Sequence, residues 1–144
     1  KALQQSDSEE TLQLISRRVL HSNNSWMHNC ERLMKGKDAC VLLIHPDDAK
    51  KRRIAAGSLT RVSSPVGAIE VEAELSTDMM VGVVCLPHGW GHHRDGSQLS
   101  IASRHPGVSI NDLTDDGFID QVSGTSALNG IAVTVVLATA KVEV

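Results

Sequence analysis

The chain has 144 residues, a length typical of a single folded domain. Hydrophobic residues make up 41% of it but aromatic residues only 2%, which argues against the aromatic surface on which single-stranded nucleic acids stack. A formal net charge of −3 excludes a strongly basic nucleic-acid-binding surface, and the chain has no run of about 18 apolar residues that could insert into a membrane.

The first predicted elements are a tail, a strand and a short helical segment. Residues 1–10 are polar, and we expect them to form a disordered tail at the edge of a single domain that comprises residues 11–144. The alternation in TLQLISR (11–17) predicts a half-buried strand. After a polar loop at 20–29, CERLMKG (30–36) predicts one or two helical turns that end at its glycine.

A buried strand and a helix are predicted next. The apolar run CVLLIH (40–45) predicts a strand buried on both faces. In PDDAKKRRIAAG (46–57), Pro46 suits the first helical position, acidic residues precede basic ones as the helix dipole favours, and Gly57 follows at the end. The basic run 50–53 is therefore explained as a helix end, so that nucleic-acid binding need not be invoked.

The second half of the chain predicts more strands and one long loop. Alternating residues at 58–64 and 67–75 predict a β-hairpin, and the apolar runs 81–87 and 131–144 predict two further strands. The segment 88–130 between them lacks periodicity but contains apolar anchors, which favours a functional loop over disorder. The sequence therefore predicts a mainly β fold, a closed barrel with one or two short helices and long functional loops.

The cysteines and the first residue bear on the cellular context. Cys30, Cys40 and Cys85 are odd in number and lack C-x-x-C spacing, which predicts free thiols packed as small core residues in a reducing compartment, the cytoplasm. Because the chain begins at Lys1 and shows no signal segment, we expect it to be a piece of a longer protein.

The segment HSNNSWMHN (21–29) is unusually rich in hydrogen-bonding side chains. Hydroxyl, amide and imidazole groups together supply donors and acceptors in several directions, as a ligand with many polar edges would require. A loop whose Asn and Ser side chains cap their own backbone has the same composition. Residue types alone leave both alternatives open, and Asn29 also suits the N-cap of the turn that follows.

Two later segments carry further candidate chemistry. In LPHGWGHH (86–93), the glycines disfavour a helix that would pair His88 with His92 on zinc, and instead let the backbone approach a flat ligand closely. In residues 107–130 the acidic residues do not match a calcium loop, but their carboxylate and amide groups suit the 2-amino-4-oxo edge shared by guanine and pterin. A Ser-His-Asp hydrolase is disfavoured because no G-x-S-x-G motif is present.

Three segments in order carry a family resemblance: LQLISRRVLHSNNSWMHNCERLMKG, LLIHPDDAKKRRIAAGSLTRVSSPVGAIEVEA, and VGVVCLPHGWGHH followed by GVSINDLTDDGFIDQVSGTSALNGIAVTV. Together, over about residues 12 to 136, they resemble the C-terminal dinucleotide-binding domain of the molybdopterin oxidoreductases. That superfamily includes formate dehydrogenases, nitrate reductases and dimethyl sulfoxide reductase. The resemblance implies a six-stranded double-psi β-barrel, and molybdopterin guanine dinucleotide carrying molybdenum or tungsten as the cofactor of the intact enzyme. The form NNSWMHN favours a formate-dehydrogenase-like enzyme over dimethyl sulfoxide reductase.

The resemblance also implies which residues bind the cofactor. The loop after the first strand would contact pterin and pyrophosphate, PHGW would face the cofactor, and NDLT and SGT would recognise the second pterin or its guanine. These residues are Arg18, His21, Ser22, Asn24, Ser25, Trp26, His28, Asn29, His88, Gly89, Asn111, Thr114, Gly124 and Thr125. HPDDA is expected to be structural. Two departures from the family pattern are Arg17, where a glycine is usual, and Ser58, where an aspartate is common.

The catalytic machinery of the family lies elsewhere. The metal ligand and any iron–sulfur cysteines belong to preceding domains, so the resemblance implies no catalytic or metal-ligating residue in this chain. Its partners would be the preceding domains of the same enzyme, and the isolated domain would be inactive. The alternative is a free-standing double-psi barrel that acts as a binding or interaction module without redox activity.

Overall fold

The computed structural model describes residues 11–36 and 38–138; the predicted N-terminal tail and the last part of the predicted final strand lie outside the described residues. The strands are β1 Thr11–Arg17, β2 Leu42–Ile44, β3 Leu59–Ser63, β4 Ala68–Leu75, β5 Val83–Pro87 and β6 Ile131–Leu137. The α-helix α1 is Pro46–Lys51, and three 3-10 turns are Trp26–Asn29, Ala102–Arg104 and Ile110–Leu113.

The six strands form a closed barrel in the order β1-β5-β2-β4-β3-β6. β1 pairs with β5 and β2 with β4 in parallel, whereas the other four pairs are antiparallel. Exchanging β1, β2 and β3 for β4, β5 and β6 reproduces the same cyclic order and the same pair directions. This internal two-fold relation agrees with the double-psi β-barrel, and the predicted fold class is confirmed.

The barrel core comes from the alternation seen in the sequence. β4 alternates exposed and buried residues along most of its length, and β1 buries Leu12 and Leu14 while Ile15 remains partly exposed. The interior consists of Leu, Ile, Val and Ala, the β-branched and aliphatic residues that pack well on a pleated surface. An aliphatic core leaves the aromatic and imidazole rings to the loops.

The helix α1 begins where the sequence predicts but is shorter than predicted. His45 caps it by accepting a hydrogen bond from Asp47 N at 3.1 Å, which confirms a structural role for HPDDA. The prediction that the helix extends toward Gly57 is wrong, because Arg52 is the C-cap and Arg53 adopts a left-handed φ of +57°. Segment 30–36 forms hydrogen-bonded turns and ends at Gly36, whose φ is +116°.

The three cysteines differ in environment. Cys85 is buried and Cys40 half-buried, and burial raises the pKa of both thiols. Cys30 is exposed, so the prediction that it packs as a core residue is wrong. Cys30 directly follows the 3-10 turn at Trp26–Asn29, in a loop outside the barrel.

Candidate functional site

The two polar clusters of the sequence meet at one end of the barrel. β1 and β5 are parallel and adjacent, with Arg17 opposite Pro87 at their carboxyl ends. The loops that follow these strands therefore leave the barrel side by side. The backbone N–H of His88 donates to the carbonyl of Arg17 at 2.9 Å, which fixes the start of one loop against the other. We call residues 18–29 the first loop and residues 88–93 the second loop.

Gly89 allows the two loops to touch backbone to backbone. It has a φ of +99°, and a Cβ at this position would lie 2.4 Å from the carbonyl oxygen of Asn24 and 2.6 Å from its carbonyl carbon. On the opposing side Asn23 and Asn24 both adopt left-handed backbone conformations, with φ of +44° and +61°. Asparagine tolerates this conformation better than most residues, which explains the two adjacent asparagines at this contact.

A third segment completes the site. A Cβ on Gly91 would lie 2.8 Å from the Cβ of Ser109, so the second loop packs closely against the start of the 3-10 turn at Ile110–Leu113. The three segments line an open cavity of about 270 Å³. Its lining includes four predicted cofactor-binding residues: Ser25, His88, Gly89 and Asn111.

The structure adds residues that are not among the fourteen predicted cofactor-binding residues. Trp90, His92, Ser109 and Ile110 also line the cavity. In HGWGHH, one glycine precedes Trp90 and another precedes His92. This pattern could have indicated both residues, because a glycine beside each ring lets the loop turn the ring toward the cavity. Ser109 lies two residues before the predicted site residue Asn111, but its residue type alone does not mark it.

A contact between buried His28 and partly exposed His92 connects the first two loops. His28 is fully buried, and its Nδ1 lies 2.7 Å from Nε2 of His92. The indole of Trp90 lies against the His28 ring with a centroid distance of 4.1 Å, and Trp90 is itself buried. Within the part of the chain that the structure describes, His28 Nε2 and Trp90 Nε1 are buried without a hydrogen-bond partner.

The imidazoles near the cavity favour the neutral form. Burial, and secondly the neighbouring His92, lower the pKa of His28 to about 4. Burial lowers the pKa of His92, and burial together with the positive charge of Arg18 lowers that of His88. At neutral pH these rings therefore each offer one donor and one acceptor, while Arg18 supplies positive charge.

The other predicted residues of the first loop lie outside this cavity. His21, Ser22 and His28 line a second, smaller cavity of about 30 Å³, and the Ser22 hydroxyl donates to the Val19 carbonyl at 2.9 Å. Trp26 is 81% exposed, and Arg18 is also exposed, so both present their side chains outward from the loop.

The remaining predicted residues have local partners. The Asn29 side-chain oxygen accepts hydrogen bonds from Ile101 N at 2.9 Å and Ala102 N at 3.2 Å, and so ties the first loop to the 3-10 turn at Ala102–Arg104. The Thr114 hydroxyl donates to the Asn111 carbonyl at 3.0 Å. Gly124 and Thr125 lie in an exposed turn that neither cavity includes. The fourteen assignments stay predictions.

Charged and metal-ligating groups near the cavity are few. Arg94 pairs with Asp112, directly beside Asn111. Residues 11–36 and 38–138 contain no group of three or more His, Cys, Asp or Glu side chains placed to hold a metal ion. Among the helices in these two ranges, none has the length and apolar character needed to cross a membrane.

Comparisons with known proteins identify similar domains. The sequence profile described as Molydopterin dinucleotide binding domain matches residues 12–132. The molybdopterin-containing subunit of the arsenate respiratory reductase of Chrysiogenes arsenatis is 29% identical over 81% of this chain and 14% of its own length. A tetrathionate reductase polypeptide of Salmonella typhimurium is 25% identical over 69% of this chain and 12% of its own length.

A third relative and one solved structure extend these comparisons. The alpha subunit of the F420-dependent formate dehydrogenase of Methanocaldococcus jannaschii is 33% identical over 48% of this chain and 10% of its own length. Acetylene hydratase from Pelobacter acetylenicus superimposes with a TM-score of 0.67 at 22% identity, over 90% of this chain and 19% of that chain. At this identity the structural likeness concerns the fold alone. The chain spans about one-eighth to one-seventh of the length of the first curated relatives.

Proposed function

The chain belongs to the Molydopterin dinucleotide binding domain family, and from that premise we propose that it binds molybdopterin guanine dinucleotide where the first and second loops meet. The observation that carries the proposal is the cavity of about 270 Å³, in which Ser25, His88, Gly89 and Asn111 come together from three segments distant in sequence. A cavity of this size holds part of a dinucleotide. The remainder would lie along the open edge, where Arg18 and Trp26 are exposed.

The donor groups at this edge fit the chemistry of the cofactor. A molybdopterin dinucleotide presents pyrophosphate oxygens and heterocyclic edges with carbonyl and amino groups. The Arg18 guanidinium and the Ser25 hydroxyl are suitable donors to phosphate oxygens, and the Asn111 amide can pair with a 2-amino-4-oxo edge. Gly89 lets the second loop pack closely on the first loop, which brings the polar groups of both loops to one cavity.

These groups indicate what the protein and the cofactor would each contribute. When bound, the cofactor supplies the redox chemistry. The residues of this chain bind it, orient it and enclose part of it in a cavity lined by uncharged imidazoles.

We propose that the intact protein is a molybdenum or tungsten oxidoreductase in which this chain is one domain. The relatives support this proposal because their names describe reductases and a dehydrogenase, and because the chain covers only a small part of each. A formate-dehydrogenase-like activity remains our proposal for the substrate class, supported by the form NNSWMHN and by similarity to one formate dehydrogenase. The alternative of a free-standing binding module is not favoured.

The direct test of the site is a titration of the 144-residue chain with anaerobically extracted molybdopterin guanine dinucleotide, followed by amide chemical shifts. We expect shifts concentrated in residues 18–29, 88–92 and 109–114. Binding that shifts amides elsewhere and leaves these three segments unchanged would contradict the proposed site.

Substitutions in the first loop test the same proposal in the full-length protein. Arg18→Ala should reduce retained cofactor about tenfold or more, since a hydrogen bond to a charged group contributes roughly 1.5–3 kcal/mol. Trp26→Ala should also reduce retained cofactor, because the exposed indole would lose its contact with the ligand. Both side chains are exposed, so the free energy of unfolding should change by less than about 0.5 kcal/mol. Arg61→Ala is the matched control, because Arg61 is a half-exposed arginine on β3 that faces Glu70. Cofactor content equal to that of the Arg61 variant would refute the assignment of Arg18.

A further inference from the structure

We propose that His28 is a positioning residue that makes His92 present an Nδ1–H donor to the cofactor cavity. His92 would then contact the cofactor directly, although the family motifs do not assign it. This inference rests on the proposed function for its consequence, but the geometry that leads to it is independent of any ligand.

The histidine pair is held rigidly on both sides. His28 Nδ1 and His92 Nε2 are 2.7 Å apart, and their rings are nearly perpendicular at 89°. Trp90 packs on the other side of His28 at 4.1 Å. The His92 backbone is fixed as well, because the N–H groups of Gly91 and His92 both donate to the Pro106 carbonyl, at 2.8 and 3.0 Å. Neither ring can turn without breaking the contact between them.

Both rings are neutral at neutral pH, so a single proton lies between the two facing nitrogens. Two arrangements satisfy this condition. In the first, His92 donates from Nε2, which leaves an N–H on His28 Nε2 and a bare Nδ1 on His92. In the second, His28 donates from Nδ1, which leaves His28 Nε2 bare and places the N–H of His92 on Nδ1.

The burial of His28 Nε2, the nitrogen that faces away from His92, favours the second arrangement. His28 Nε2 is buried and has no hydrogen-bond partner among residues 11–36 and 38–138. Among backbone groups, buried N–H donors without an acceptor are rare and under-satisfied acceptors somewhat less so, and we infer the same order for the imidazole nitrogen. His28 Nε2 is therefore expected to carry no hydrogen, so that Nδ1–H of His28 donates to His92.

The consequence is a fixed donor at the cavity. His92 lines the cavity together with Ser25 and Asn111. Because His92 Nε2 faces His28, Nδ1 is the ring nitrogen left for a ligand, and it would be a donor in every molecule instead of in a fraction of them. Phosphate oxygens and pterin carbonyl groups are acceptors, so a His92 tautomer that always presents an N–H donor suits the proposed ligand. A group that had to change tautomer on binding would lose part of its affinity to that change.

Three substitutions at His28 distinguish the effect of its Nδ1–H donor from the effect of the ring itself. In His28→Asn the amide N–H can replace Nδ1–H as the donor to His92. In His28→Gln the amide reaches the position of Nε2, away from His92, and in His28→Phe the ring is kept without nitrogen. All are measured in the 144-residue chain by ¹⁵N correlation spectra of the imidazoles, with the dispersion of the amide spectrum as the control for folding.

We expect the wild-type chain to show His92 protonated at Nδ1 and bare at Nε2. His28→Asn should keep this tautomer, whereas His28→Phe and His28→Gln should give a mixture of tautomers and about tenfold weaker binding of extracted molybdopterin guanine dinucleotide. A wild-type His92 protonated at Nε2 would overturn the inference without any variant. An unchanged His92 tautomer or unchanged affinity in folded His28→Phe would also overturn it.

The outcomes distinguish this inference from the proposed function. If wild-type chain does not bind the cofactor, the proposed function fails while the tautomer measurement still decides the role of His28. If wild-type chain binds and the His28 variants bind equally well, the proposed function stands and the positioning role is refuted.

Discussion

Replacing Gly89 by alanine should damage the candidate site more than the same change at another glycine of similar backbone conformation. Gly89 has a φ of +99° and its added Cβ would meet Asn24 O at 2.4 Å; Gly96 has a φ of +87° and no atom within 4 Å of the added Cβ. Both variants place alanine in a left-handed conformation, which costs about 1–2 kcal/mol. Only Gly89→Ala also forces two backbones apart.

The additional cost at Gly89 can be worked out from the contact distance. An ordinary contact begins near 3.4 Å, so the first loop must retreat by about 1 Å. Overpacking of this kind typically costs about 1–3 kcal/mol. We therefore expect Gly89→Ala to be about 1–3 kcal/mol less stable to urea than Gly96→Ala, and to bind cofactor at least about tenfold more weakly, since the loops no longer close on the cavity together. Equal stability and equal cofactor affinity in the two variants would refute the backbone contact and its role.

Two further predictions concern groups that the structure buries. The pKa of His28 is about 4 in the folded chain against 6.5 ordinarily, so the unfolded chain binds more protons between these values and stability falls as the pH drops from 6.5 to 4. This contribution, on the order of 3 kcal/mol, should be missing in His28→Phe, as urea titrations across that range will reveal; an identical pH slope in the variant would contradict it. Asp48 is buried and accepts a hydrogen bond from Gly82 N at 2.6 Å, so Asp48→Ala should cost about 1–3 kcal/mol by leaving that N–H without a partner. This contact joins α1 to the residue just before β5, at the end of the barrel opposite the cavity. Cofactor affinity should therefore be unchanged, and a weakened affinity would show that the two ends of the barrel are coupled.

The strands can be predicted because their residues follow simple periods. β4 alternates apolar and polar side chains along most of its length, and the hairpin of β3 and β4 matches the prediction nearly to its ends. The start of the helix α1 is predictable, since Pro46 and the acidic residues act locally, but its end is not. Its termination at Arg52 and Arg53 depends on a backbone turn that no local residue preference requires, since arginine seldom adopts a positive φ.

The candidate site is only partly visible in the sequence for a related reason. His88 and Gly89 stand out because they follow a buried strand directly. The His28–His92 contact joins residues 64 positions apart, and its existence depends on the parallel pairing of β1 with β5. Polar composition marks HSNNSWMHN as unusual but cannot separate ligand contacts from structural ones. In the structure, Asn29 has a structural partner and Ser25 lines the cavity.

The two-fold relation between the halves of the barrel shows how many residues of the first loop are not needed to connect the strands. The connection from β1 to β2 spans 18–41, and its counterpart in the other half, from β4 to β5, spans only 76–82. Seven residues are therefore enough to make this crossing in this architecture, and the longer connection exceeds that minimum by about seventeen. These additional residues are not needed to connect the two strands, and they outnumber the nine residues of the HSNNSWMHN segment. Selection on ligand binding can therefore change the length and composition of the first loop while the strands keep their register.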